Sequence, residues 1–453
     1  MAGGTFTLAG KKDRPGTYVN LKSQKKTLLA GARSGTVILP LIKHNYGPAQ
    51  EFIEITAAAP DDGFEKLGYS IYDNDPNQNM LRIRETLKGA EKVVVFIPTE
   101  GKKASAEVSG MTCTAKYGGS LGNDLKVSVV DNAELGEGFF NVVVTLGAAT
   151  VETMTGMKTI GDVIAHGCAW LAVTGESATA LQAAAAVSLT GGEDGAMNNA
   201  DFTNMVDKAE SMDFKVFAFP YSSETYGALC AAIKSKVEFM NNGAGKRVKA
   251  VMAAYASDYE QCLNVTNGVV LEDNTEITKE LAVCFIAGIT ASASYTQSNT
   301  YRAYPGAKSV LKPKNHDEAV AAIRAGEIFF SYNNAYEVVV EYDINSLTTI
   351  TSDKDESYKK NRVMRVFDAF IEALNANFPP NKYDNSETGW AVMEGVGRSL
   401  LELFEKDGAI DEVDYEADFQ VDRKLSEGDK TFFNVGLKAV DSAEKLFFTV
   451  NTR

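Results

Sequence analysis

Two stretches of this chain leave it little choice of environment. Val93-Val94-Val95-Phe96-Ile97 and Val216-Phe217-Ala218-Phe219-Pro220 are apolar at every position. A strand with one face in water alternates polar and apolar residues, so a strand without alternation is covered on both faces. Such strands belong to a sheet with helices packed on either side. Their neighbours fit that layer. Thr36-Val37-Ile38-Leu39 is a further apolar strand ended by Pro40, and residues 80–88 read as a helix with Leu81, Ile83 and Leu87 inward. Around the second stretch, residues 201–211 and 226–241 read as helices, the latter ending in the Asn241-Asn242-Gly243 cap signal. Strands follow at 248–254 and 268–271, then a largely apolar helix at 278–296.

Between these halves the pattern changes. From 99 to 188 the β-prone pieces are short and separated by turn signals such as Gly118-Gly119, Gly122-Asn123-Asp124 and Asp131-Asn132. This predicts a small β-sandwich or barrel with one helix near 160–171, inserted into an interrupted α/β unit. From about 346 a third unit begins. Residues 355–378 form an amphipathic helix with Val363, Val366, Phe367, Phe370, Ile371 and Leu374 on one face, stopped by Pro379-Pro380. A helix at 388–404 and β-prone pieces at 418–421, 432–440 and 445–450 follow. The last piece needs a sheet to pair with, its own or a neighbour's. Residues 1–30 have few apolar positions, many lysines and one β-prone piece, Thr17-Tyr18-Val19-Asn20-Leu21, so they read as an extended arm rather than core.

The 453 residues carry a net charge of −15, which argues against a nucleic-acid partner. The charge is polarised. Lys11, Lys12, Arg14, Lys22, Lys25 and Lys26 crowd the arm, and nine acids from Glu402 to Asp422 crowd the other end. No apolar run approaches the roughly 20 residues that span a bilayer, and no secretory signal is evident, so cytoplasmic synthesis without membrane insertion is expected. Five scattered cysteines form no CxxC pair and predict buried thiols. Chemistry is hard to find. Gly243-Ala244-Gly245-Lys246-Arg247 lacks the phosphate-loop spacing and hydroxyl, and no nucleophile elbow accompanies His44, His166 or His316. Asp73, Asp75 and Asn77 imitate a calcium loop, yet Gln78 and Arg84 stand where glycine and glutamate are required. No cofactor, metal or catalytic residue is assigned.

Three motifs carry a resemblance: Arg14-Pro15-Gly16-Thr17-Tyr18-Val19-Asn20-Leu21 in the arm, Tyr117-Gly118-Gly119-Ser120-Leu121-Gly122-Asn123-Asp124-Leu125, and Leu189-Thr190-Gly191-Gly192-Glu193-Asp194-Gly195. In this order and spacing the chain resembles the tail sheath proteins of contractile phages and R-type bacteriocins, chiefly those of Gram-positive hosts. The resemblance implies an extended arm (1–30), a subtilisin-like, non-catalytic α/β core in two parts (31–98 and 189–345), an inserted β-sandwich (99–188), and an α+β tube-proximal domain with a terminal strand (346–453). It implies a subunit that polymerises with itself as a six-start helix around an inner tail tube protein. Baseplate and tail terminator proteins are its further partners, in a virion tail or a released tail-like particle. Links between subunits are expected by strand exchange. Thr17, Tyr18, Val19, Asn20 and Leu21 of the arm and Leu446, Phe447, Phe448, Thr449 and Val450 would join sheets containing Phe433, Val435 and Leu437. Gly10, Gly31 and Gly35 are expected hinges. Lys359, Lys360, Arg362 and Arg365 are candidate contacts with the inner tube, and the basic arm is expected near the acidic 402–422 region of a neighbour. The alternatives are the sheath of another contractile injection system, a degenerate hydrolase-fold enzyme, and a tube or capsid protein.

Overall fold

The computed structural model describes residues 3–4, 17–18 and 33–452. Its largest element is a seven-stranded sheet ordered Glu327–Ile328, Cys262–Val265, Lys249–Ala253, Val216–Ser222, Arg33–Pro40, Ala90–Phe96 and Phe52–Thr56. All neighbours are parallel except the last pair. Strands from either side of residue 150 thus lie side by side, with Val216 opposite Val37.

The two apolar stretches are covered twice, as their lack of alternation requires. Val37, Leu39, Val93, Val95 and Ala218 pack on the face that holds helices Asn79–Leu87 and Lys279–Ser292. Ile38, Val94, Phe96, Phe217 and Phe219 point the other way, against helices Asn199–Ala209 and Ser223–Asn242. Lys279–Ser292 is buried along almost its whole length. It lies so close to Asn79–Leu87 that a Cβ on Gly288 would stand 2.3 Å from the Thr86 carbonyl oxygen.

Residues 105–188 form two antiparallel sheets. One runs Ala149–Met157, Phe140–Leu146, Leu125–Asp131, Ala184–Ser188, and the other Leu171–Thr174, Met111–Ala115, Ser105–Val108. The alternating inward residues Val127, Val129, Val142, Val144, Met111 and Cys113 meet around Trp170. The helix within this region is Ile160–His166, shorter than the expected 160–171 because Gly167 ends it and the chain turns into a strand.

A smaller core collects Val366, Phe370, Leu400, Leu401, Phe404, Ile410 and Phe419 between helices Asn361–Asn377 and Glu387–Lys406. The helix expected from 355 is interrupted. Glu356–Lys359 is a 3-10 turn and Lys360 is extended, because this stretch pairs with residues 343–345: Asn345 N–H donates to Lys359 O, and Asn361 N–H to Asp343 O. Asp75, part of the calcium-like pattern, spends its carboxylate on the N–H groups of Asn77, Asn79 and Met80 at a helix start. Gly35 is no free hinge: at φ +129°, a Cβ there would lie 2.3 Å from Ala291 O. Gly10 and Gly31 lie outside the described residues.

Candidate assembly interface

The two glycine-rich motifs converge where the β-sandwich joins the α/β layer. Lys102 and Glu193 exchange backbone hydrogen bonds of 2.8 and 3.2 Å, so the entering and leaving strands of chain run side by side. Asn123 brackets Gly192 with both halves of its amide, at 2.8 and 2.9 Å, and Ser120 N–H donates to Asp194 at 2.7 Å. A Cβ on Gly118 would lie 1.9 Å from Gly101 O, and one on Gly119 2.0 Å from Asn45 O. These glycines permit backbone to touch backbone. Tyr46, from the α/β side, stacks on Trp170 of the sandwich at 5.8 Å.

The C-terminal end behaves differently. Phe433–Val435 pairs antiparallel with Phe419–Val421, Phe433 opposite Val421, and no third strand joins them among the described residues. Phe433 turns into its own core, 5.6 Å from the Phe378 ring and 5.5 Å from Phe419, and Leu437 is partly buried there too. Val435 is exposed. Past Val440 the chain is held to the body once more. Lys360 pairs with Glu444 and, at 3.5 Å, Asp441; Ser298 and Thr300 hydroxyls donate to Glu444 at 2.9 and 2.6 Å; and Arg362 donates to Ser442 at 2.8 Å. Beyond this latch Leu446, Phe447, Phe448 and Val450 are 65%, 92%, 83% and 86% exposed, and Thr449 is exposed with them. None of these residues is in a strand. Four apolar side chains in five residues, all bare, are unusual for a segment with no use for them. The latch was not legible beforehand: Lys360 and Glu444 stand far apart in sequence, and no local pattern links them.

Thr17 and Tyr18 have extended backbone paired in parallel with Gly3 and Gly4. Val19, Asn20 and Leu21 lie outside the described residues. Of the acids at 402–422, Glu412 alone forms an ion pair among the described residues, with Lys438. The patch therefore keeps most of its negative charge.

The basic cluster needs correction. Arg365 is buried and bound to Asp343 at 2.6 Å, and Lys360 is buried in the latch, so neither offers charge to another molecule. Lys359 pairs with Glu356 at 2.9 Å, and Arg362 holds Ser442. Burial pushes the Asp343 carboxyl up, but the Arg365 charge and hydrogen bonds from Asn299 and Asn361 outweigh it and hold it below the ordinary value. Burial is also the largest influence on Lys360 and lowers its pKa despite the nearby Asp441 and Asp343.

His44 is buried against Leu67 O at 2.9 Å and Asn79 at 3.3 Å, while His166 meets Gly167 O. No group of three metal-binding side chains occurs among the described residues, and no helix among them is long and apolar enough to cross a membrane.

Family models match nearly the whole chain from residue 34. They are the tail sheath protein Gp18 domain III N-terminal region (34–96), the phage tail sheath protein beta-sandwich domain (99–194), its central domain (195–346) and the phage tail sheath C-terminal domain (353–453). The Phage-like element PBSX protein XkdK of Bacillus subtilis (strain 168) is 33% identical over 475 residues, covering 99% of each chain. The crystal structure of the sheath tail protein from Desulfitobacterium hafniense superimposes with a TM-score of 0.81 at 31% identity, over 96% of this chain and 99% of that one. The helical sheath of the anti-feeding prophage in its contracted state shares the fold, with a TM-score of 0.54 at 12% identity over 98% of this chain and 100% of that one. With its mixed α/β layer, its β-sandwich and these relatives, the chain belongs to the phage tail sheath proteins and is a structural sheath subunit of a contractile injection system.

Proposed function

We propose that this subunit polymerises by strand exchange around an inner tail tube and contracts to drive that tube through a bacterial envelope. The observation that carries this reading is the bare segment Leu446–Val450 beyond an anchored latch, in a chain whose sheet of Phe419–Val421 and Phe433–Val435 has no third strand among the described residues. An added strand gains affinity from main-chain hydrogen bonds and register from alternate side chains. Each such bond contributes about 0.5–1.5 kcal/mol net, so several per link hold subunits together while their bodies move. Contraction is then a rigid-body passage from a metastable extended lattice to a more deeply packed one, with no nucleotide consumed.

On this reading the sheet of residues 33–328 is a subtilisin-like scaffold without protease chemistry, and the chain is not an enzyme. The unit boundaries are 1–30, 31–98, 99–188, 189–345 and 346–453. Tube protein, baseplate and tail terminator proteins are the partners, and synthesis is in the bacterial cytoplasm. The arm residues Thr17 to Leu21 join the sheet of Phe433, Val435 and Leu437 in a neighbour, and the arm lysines lie against acids 402–422. A second reading, the sheath of another contractile injection system, is favoured by the fold shared with the anti-feeding prophage sheath.

Negative-stain electron microscopy of the full chain beside versions lacking residues 1–24 and 446–453 tests the proposal. Striated tubes from the full chain, lost in both truncations, are expected; tubes that survive both would refute strand exchange. Neutralising the arm lysines should weaken assembly and flatten its salt dependence.

A further inference from the structure

The N–H of Val440 donates to Ala409 O at 2.8 Å, and past it no backbone hydrogen bond to the body occurs among the described residues. The C-terminal latch is therefore made of side chains. Asp441 and Glu444 meet Lys360, Ser442 meets Arg362, and Lys445 lies 5.8 Å from the Tyr342 ring. Val440 is tied to the turn after helix Glu387–Lys406. Four residues on, Glu444 is tied to Ser298 and Thr300, which follow helix Lys279–Ser292, and to Lys360 at the start of helix Asn361–Asn377.

Asp441-Ser442-Ala443-Glu444 is polar or small at every position, and the neighbouring core ends at Ala439. Opening the latch therefore bares no apolar surface and breaks no strand. The carboxylates it frees return to water, and the Lys360 ammonium keeps the Tyr342 ring 4.1 Å away as a partner. Both states are thus open to this stretch of chain. They differ in reach. Closed, the latch leaves Leu446 two residues from its anchor at Glu444, about 7 Å at about 3.3 Å per extended residue. Open, Leu446 is six residues from Val440 and reaches about 20 Å.

We propose that the latch is a releasable spacer. Closed, it holds segment 446–450 close to its own body; open, it adds about 13 Å of chain, so the segment stays paired in a neighbour while the two bodies move apart. This rests on the strand-exchange reading. On that reading subunits remain joined while a contractile lattice passes between two arrangements. A linker of one length would have to fit both, and the latch gives the chain two.

The test is zero-length carbodiimide crosslinking, which joins a touching amine and carboxylate as an amide. A Lys360–Glu444 or Lys360–Asp441 link, identified by peptide mass spectrometry, reports a closed latch. The reagent is applied to the full-length subunit and to intact sheaths before and after contraction. The link is expected in the free subunit and in one sheath state, and about tenfold less in the other, as for a two-state equilibrium shifted by one charge-assisted contact. Equal yields in the two sheath states, or no link in the free subunit, would overturn the proposal. Glu444→Lys sets like charges together and should remove the Lys360–Glu444 link while tubes still form. Loss of tubes in that variant would make the latch part of the joint, and the spacer would be refuted. Failure of strand exchange reads differently: tubes would survive removal of residues 446–453, and the spacer would fall with it.

Discussion

In the seven-stranded sheet, helices cover both faces, and the edges are short or guarded: Glu327–Ile328 is two residues long, and Phe52–Thr56 carries Glu54 paired with Lys92. In the sheet of Phe419–Val421 and Phe433–Val435, one face meets the small core and no third strand is present among the described residues. A dozen residues on, Phe447 and Phe448 stand in solvent. A natural chain usually blunts a free edge and hides such side chains. That this chain does so in one sheet and not in the other separates two regions: a body whose edges its own residues close, and an end whose apolar side chains stay bare, the surface that the proposed strand exchange would use.

The separation can be broken experimentally. Leu446→Asp with Phe448→Asp, which share one face of an extended segment, should abolish tubes in the electron microscope while leaving the urea midpoint of the subunit unchanged. A fall in that midpoint would mean the segment stabilises its own body. Asp343→Asn, which leaves Arg365 buried against a neutral partner, should cost about 3–5 kcal/mol in urea unfolding. Because the Asp343 carboxyl is held below its ordinary value, its contribution is present above the unfolded-state pKa of about 3.9 and is lost as pH falls through the folded-state value. The acid limb of the stability curve should therefore flatten in Asp343→Asn. Gly288→Ala forces a methyl onto the Thr86 carbonyl and should destabilise the body by about 1–3 kcal/mol without affecting which end pairs. Smallest is Glu444→Gln, about 1 kcal/mol in unfolding, since Asp441 still faces Lys360. Its clearer sign should be faster limited proteolysis near residue 441.

The two-faced strands were legible because burial on both sides leaves a direct mark, an unbroken apolar run. Helices around them followed from periodicity and caps. What failed was reading charge without contacts. Lys360, just before helix Asn361–Asn377, and Arg365 within it belong to a stretch that looks basic, yet their partners, Glu444 and Asp343, come from elsewhere in the chain. Strand Ala307–Leu311 was missed because it is short and only partly buried, whereas helix His316–Arg324 did carry a signal, the Asn315–Glu318 capping box at its start, that went unread. The glycine motifs were recognisable as a pattern, but their physical purpose, backbone laid on backbone at 101, 118, 119 and 192, needs the third dimension.

That glycine joint has a consequence for change over time. The chain leaves the α/β layer near Gly101 and returns near Gly192 through neighbouring, hydrogen-bonded positions. An excursion whose two ends coincide can be lengthened, shortened or exchanged without shifting the register of any strand beneath it. The loops at the far end of the sandwich can thereby change in length and sequence while the α/β layer beneath keeps its form.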